Sequence, residues 1–170
     1  MKSLLVPTLA SVALVVSATT AVASQTQPLR GTFLIHFGRG QGTSNAPCPG
    51  DTFCLTGRLV PFGAATDTID FTTFDQIDDS SCFDVTGREQ IDVASRDSLR
   101  LDFSGVFCSP GASNSAPGAQ ISYGNPGFMR ATYTVTGGTG IFSGATGVGI
   151  KTFSSAGDVG RVTVSGTITS

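Results

Sequence analysis

Residues 128–170 read FMRATYTVTGGTGIFSGATGVGIKTFSSAGDVGRVTVSGTITS, and apolar and polar residues alternate through most of that length. In FMRATYTVTGG, Met129, Ala131, Tyr133 and Val135 fall on one face. GVGIKTF makes a second run, and VGRVTVSGTI a third with Val162, Val164 and Ile168 in phase. A period of two is the mark of a strand with one face in a core. Strands this short, separated by glycine turns, favour an antiparallel barrel or sandwich. Closing the sheet into a barrel would also remove the exposed edges that invite aggregation.

Upstream, the same reading continues. Residues 98–107 alternate Leu99, Leu101 and Phe103 with Arg100, Asp102 and Ser104, and residues 82–93 behave alike. Residues 65–78 carry Ile69 and Phe71, then Phe74 and Ile77. That change of phase predicts a bulge or bend between Phe71 and Phe74 rather than one straight strand. In Gly31–Gly38, Phe33, Ile35 and Phe37 share one face and Leu34 and His36 the other, which predicts a strand buried on both sides. The interval 109–127, with three Pro and four Gly, reads as a long surface loop.

Composition agrees with an all-β chain. Only Glu89 supplies a glutamate, and Lys2 and Lys151 are the only lysines. A chain so poor in Lys and Glu lacks good helix formers, while Thr, Val, Phe and Gly suit strands and turns. Its formal charge of −2 and the scarcity of basic residues argue against a nucleic-acid binder, which needs clustered Lys and Arg.

Leu4–Val16 is an apolar run behind Met1 and Lys2, and Ala21-Val22-Ala23 follows. This is the pattern of a secretory signal peptide, too short to span a bilayer. Residues 1–23 are therefore expected to be removed, leaving a single domain at 24–170 that is secreted or extracytoplasmic and does not enter a membrane. Loss of Lys2 leaves nine basic residues against twelve acidic ones, a net charge of −3.

Four cysteines, Cys48, Cys54, Cys82 and Cys108, lie beyond the leader. An even number in an exported chain predicts two disulfides. Three pairings exist; Cys48–Cys54 closes a short loop around Pro49-Gly50, and Cys82–Cys108 joins two strands of a meander. Neither spacing supplies the ligand pairs of a zinc site.

Between the first two C-terminal strands lies a glycine-rich corner, Thr136-Gly137-Gly138-Thr139-Gly140-Ile141-Phe142-Ser143-Gly144-Ala145-Thr146-Gly147. It lacks the Lys-Ser/Thr of a P-loop and the βαβ context of a dinucleotide fingerprint. Its glycines read as a tight corner with Phe142 plugging the core. Val135–Lys151, VTGGTGIFSGATGVGIK, resembles the signature of the allene oxide cyclase and dirigent barrel superfamily. The related dirigent spacing is met by Gly138, Thr139, Gly140, Phe142, Ala145 and Gly147. The resemblance implies an antiparallel eight-stranded β-barrel with an apolar interior. The acids that plant members use for catalysis have no counterpart at alignable positions, so the resemblance implies a fold and no catalytic set.

Candidate site residues are few. His36, the only histidine, would be an acid or base if it faced the interior of a barrel, although no nucleophile motif accompanies it. Arg100, Arg130 and Tyr133 would supply polar groups to an apolar pocket. Arg100 beside Asp102 has the simpler reading of an outer-face ion pair. Ten of the twelve acids fall between Asp67 and Asp102, with Asp67, Asp70, Asp75, Asp78 and Asp79 the densest group. Without calcium-loop spacing, that group reads as a solvated acidic face. No metal or cofactor is expected. Three functions are compatible: a non-catalytic binder of a small apolar or aromatic molecule, an isomerase or cyclase of dirigent or allene oxide cyclase kind, and an extracellular structural or adhesive module.

Overall fold

The computed structural model describes residues 24–36, 53–93, 97–110, 126–157 and 159–170. Eight strands follow in order: β1 (Thr26–His36), β2 (Phe53–Val60), β3 (Gly63–Gln76), β4 (Cys82–Val93), β5 (Asp97–Cys108), β6 (Gly127–Gly138), β7 (Thr146–Ala156) and β8 (Val159–Thr169). Each pairs antiparallel with its sequence neighbours, and β1 also pairs with β8, so the sheet is a closed barrel. Eight strands leave a lumen just wide enough for inward side chains to fill.

The period of two sorts those side chains. Leu99, Leu101, Phe103 and Phe107 point inward from β5, and Met129, Ala131, Tyr133 and Val135 from β6. Arg100, Asp102 and Thr132 face solvent. The expected bulge is present: the β3–β4 register shifts between Phe71 and Thr73, which turns Phe74 inward after Phe71.

Two expectations need correction. β1 begins at Thr26, five residues before Gly31, and is not buried on both sides: Thr32 is exposed and Leu34 half-buried. A barrel has one core, so only one face of each strand can be dry. β2 is the strand that periodicity alone does not announce. Gly57 interrupts its apolar face between Leu55 and Leu59, because a Cβ there would sit 2.1 Å from the backbone oxygen of Thr32 and 2.8 Å from the Phe33 ring.

The two ends of the barrel differ. At one end, Gly140–Phe142 form a single 3-10 turn that drives Phe142 into the lumen, where it is 1% exposed. Its ring meets Phe62 edge-on at 4.7 Å. At the other end, Cys82 and Cys108 are register partners and form a disulfide with a Cα–Cα distance of 4.0 Å. Cys54 is also disulfide-bonded. Its expected partner, Cys48, lies outside the described residues, as do the expected leader, residues 1–23, and most of the interval 109–127. Cys82 and Cys108 are separated by 26 residues, a closure that chain-entropy reasoning values at about 3.5 kcal/mol. The Cys82→Ala/Cys108→Ala variant is therefore expected to lose that much in urea unfolding. A loss under 1 kcal/mol would mean that the β4–β5 ladder already fixes the ends.

Candidate functional site

Four polar side chains enter the lumen from four strands. Asp67 lies on β3 in phase with Ala65 and Ile69. Glu89 lies on β4 in phase with Val85 and Ile91, and Lys151 on β7 in phase with Phe153. Tyr133 comes from β6. Asp67 and Lys151 are 0% exposed, Glu89 2% and Tyr133 3%. Register places Ile69 opposite Glu89 and Ile91 opposite Asp67, so the two carboxyls are diagonal neighbours on adjoining strands.

Lys151 Nζ donates to Glu89 Oε2 at 2.5 Å and stands 4.4 Å from the centroid of the Phe103 ring. The cation thus has a carboxylate on one side and a π face on another. Glu89 Oε1, both carboxyl oxygens of Asp67 and the Tyr133 hydroxyl have no hydrogen-bond partner. Burial, and next the negative charge of Glu89, push the Asp67 carboxyl well above its usual range, while the Lys151 charge opposes this. The protonated form of Asp67 is therefore the favoured one. A free Asp67 acid contributes its full stability below the ordinary carboxyl range and loses it as pH rises through the raised value.

Tyr133 occupies space that glycine provides. A Cβ on Gly149 would lie 2.4 Å from Tyr133 Cζ, and one on Gly166 2.5 Å from the hydroxyl oxygen. Burial, and then the charge of Glu89, raise its pKa from 10.0 to about 12. The sign follows from the protonated form being favoured in the barrel. The contribution is complete below pH 10 and disappears as pH climbs from there to about 12. In a Tyr123→Phe background, the phenolate absorbance of Tyr133 should rise near pH 12; a midpoint near 10 would mean that water reaches the hydroxyl.

Above this cluster, at the disulfide end, lies an apolar recess of about 20 Å³. Ile35, Phe53, Ile69, Phe71, Met129 and Phe153 are among its walls, and no polar atom lines it. The Phe103 ring connects the two regions. It lies 5.6 Å from the Phe71 ring and carries the Lys151 ammonium on its own face.

The expected site residues are divided by the barrel wall. Tyr133 is inside, whereas Arg130 and Arg100 are exposed on the outer face and cannot join it in one pocket. The alternation that buries Tyr133 puts Arg130 on the opposite side of the same strand. The partner of Asp102 across the ladder is Arg88 rather than Arg100, which stands opposite Gln90. His36 is the last residue of β1, opposite Val159; its side chain lies outside the described residues. Asp67 corrects the reading of a solvated acidic face. Asp70, Asp75, Asp78 and Asp79 are exposed, but Asp67 is interior. Among the described residues no group of three or more His, Cys, Asp or Glu is placed to hold a metal ion.

No family model, curated protein or solved structure matches the chain.

Proposed function

We propose that the protein is exported and disulfide-bonded, and that it binds a small apolar or aromatic molecule at the disulfide end of its barrel without catalysis. The observation that carries this is the wholly apolar recess between Ile35, Phe71, Met129 and Phe153. Its open volume matches about one water molecule, so an apolar guest has to push the wall side chains apart, and the apolar lining keeps the recess dry for it. Met129 is the side chain best able to give way, being unbranched and adaptable. The leader pattern and the Cys82–Cys108 bridge support an oxidising compartment. The closed eight-stranded barrel supports kinship with the allene oxide cyclase and dirigent superfamily.

A second reading, an isomerase or cyclase, is favoured by Asp67, Glu89 and Tyr133 meeting in the lumen. Those groups are fully shielded, so a substrate would have to descend past the recess to reach them. Binding at the recess asks less of the structure.

Thermal unfolding in the presence of benzene and other small aromatic and aliphatic molecules tests the proposal. A guest at about a hundred times its Kd should raise stability by about 2.7 kcal/mol. Met129→Ala, which widens the recess, should bind the same guests more tightly. If no molecule raises the melting temperature of either protein, the binding reading is lost.

A further inference from the structure

Beyond ligand binding, the interior cluster has a chemistry of its own. Two groups that can condense to an amide, the amine of Lys151 and the carboxylic acid of Asp67, share a dry lumen with a carboxylate, Glu89, that is bonded to the amine, neighbours the acid and can move protons. We propose that Lys151 and Asp67 form an intramolecular isopeptide bond, with Glu89 as the proton shuttle.

Several observations point the same way. Lys151 is the only lysine beyond residue 2 and Glu89 the only glutamate, yet both lie in the least hydrated part of the molecule. Burying an ion pair costs more than its attraction returns unless the remaining polar atoms are satisfied. Here they are not: Glu89 Oε1 and both oxygens of Asp67 are unpartnered. An amide between Lys151 and Asp67 would replace a charged amine and an unsatisfied acid with one donor and one acceptor. The Phe103 face beside the ammonium keeps competing water from the amine.

The step balances without any further reactant. Lys151 passes one proton along its hydrogen bond to Glu89, leaving a neutral amine and a neutral acid. The flexible lysine stem swings Nζ to the carbonyl carbon of Asp67, whose carboxyl is electrophilic because it is protonated. The C–N bond forms and the carbonyl electrons move to oxygen. Glu89 gives its proton to the departing hydroxyl and takes one from the nitrogen. The C–O bond breaks and water leaves. Amide, protonated Glu89 and one water account for every atom and charge.

The topology gives the bond a purpose. β3 and β7 are four strands apart in the closed order in either direction, so they are opposite walls. Hydrogen bonding ties each strand only to its neighbours; a β3–β7 bond would tie the barrel across its diameter. Such a bond differs from a disulfide in surviving reduction.

The test is mass spectrometry of the purified full chain after its N-terminus has been identified. The reduced, denatured wild-type protein should be lighter than its sequence by about 18 Da, one water. After trypsin, peptide 59–88 should appear joined to peptide 131–161, uncut at Lys151. Asp67→Asn should link with loss of ammonia, about 17 Da. Asp67→Ala and Glu89→Gln should keep their full masses. A wild-type chain of full mass, with Lys151 cleaved by trypsin, overturns the proposal whether or not the variants fold. Linkage that persists in Glu89→Gln overturns the role of Glu89. Neither result affects binding at the recess, which is read separately by thermal shift.

Discussion

Measured against the unlinked chain, Lys151→Met is expected to destabilise the barrel by about 3–5 kcal/mol, the usual consequence of removing one partner from a buried ion pair. The methionine fills the volume of the lysine stem, so little of that loss is a cavity. What remains is Glu89, 2% exposed and without its cation, beside Asp67. A carboxylate there must either stay charged in an apolar medium or take a proton at neutral pH. Lys151→Met/Glu89→Leu should be more stable than Lys151→Met alone, because an apolar residue then replaces the orphaned charge. Urea midpoints at constant slope measure both differences. A single variant within 1 kcal/mol of the wild type, or a double variant no better than the single, would show that water already enters the lumen.

Phe142→Ala should cost a similar amount, about 3–5 kcal/mol, for a different reason. Here the loss is packing and cavity, with no charge involved. Phe142 is 1% exposed, and its ring is held against Phe62 at an interplanar angle of 71°. Without it the end of the barrel opposite the disulfide loses its stopper. The neighbouring Ile141 is 53% exposed on the same turn, and Ile141→Ala should stay within about 0.5 kcal/mol of the wild type. Equal effects of the two substitutions would mean that the turn, rather than the ring, seals that end.

The barrel was legible because alternation is a local property. Leu99-Arg100-Leu101-Asp102-Phe103 declares its inner and outer faces without reference to any other strand. The Phe71–Phe74 phase change declares a bulge for the same reason. β2 was not legible, since Gly57 breaks its inward row and the reason for the glycine is the Thr32 backbone and the Phe33 ring on another strand. The polar cluster was only partly legible. Asp67 shares the phase of Ile69, and Lys151 that of Phe153, so periodicity placed both indoors. The place of Asp67 among ten clustered acids, and the habit of assigning charge to solvent, hid this. The scarcity of Lys and Glu was the clearer signal: Glu89 is the only glutamate and Lys151 the only lysine after residue 2. That the three side chains converge depends on the curvature of the closed sheet, which no single strand encodes.

The pairing of β1 with β8 sets how the molecule responds to being pulled. Thr26 stands opposite Thr169, and Gln25 and Ser170 exchange backbone hydrogen bonds, so the first and last residues of the barrel lie side by side. Tension applied between them acts across the ladder at one end and separates its bonds one after another, like a zip. A load applied between the far ends of the same two strands would meet the same geometry from the other side. Only a shearing load, directed along opposed strands, would challenge all the rungs together. The seam that closes the barrel is therefore also the line along which modest force should open it.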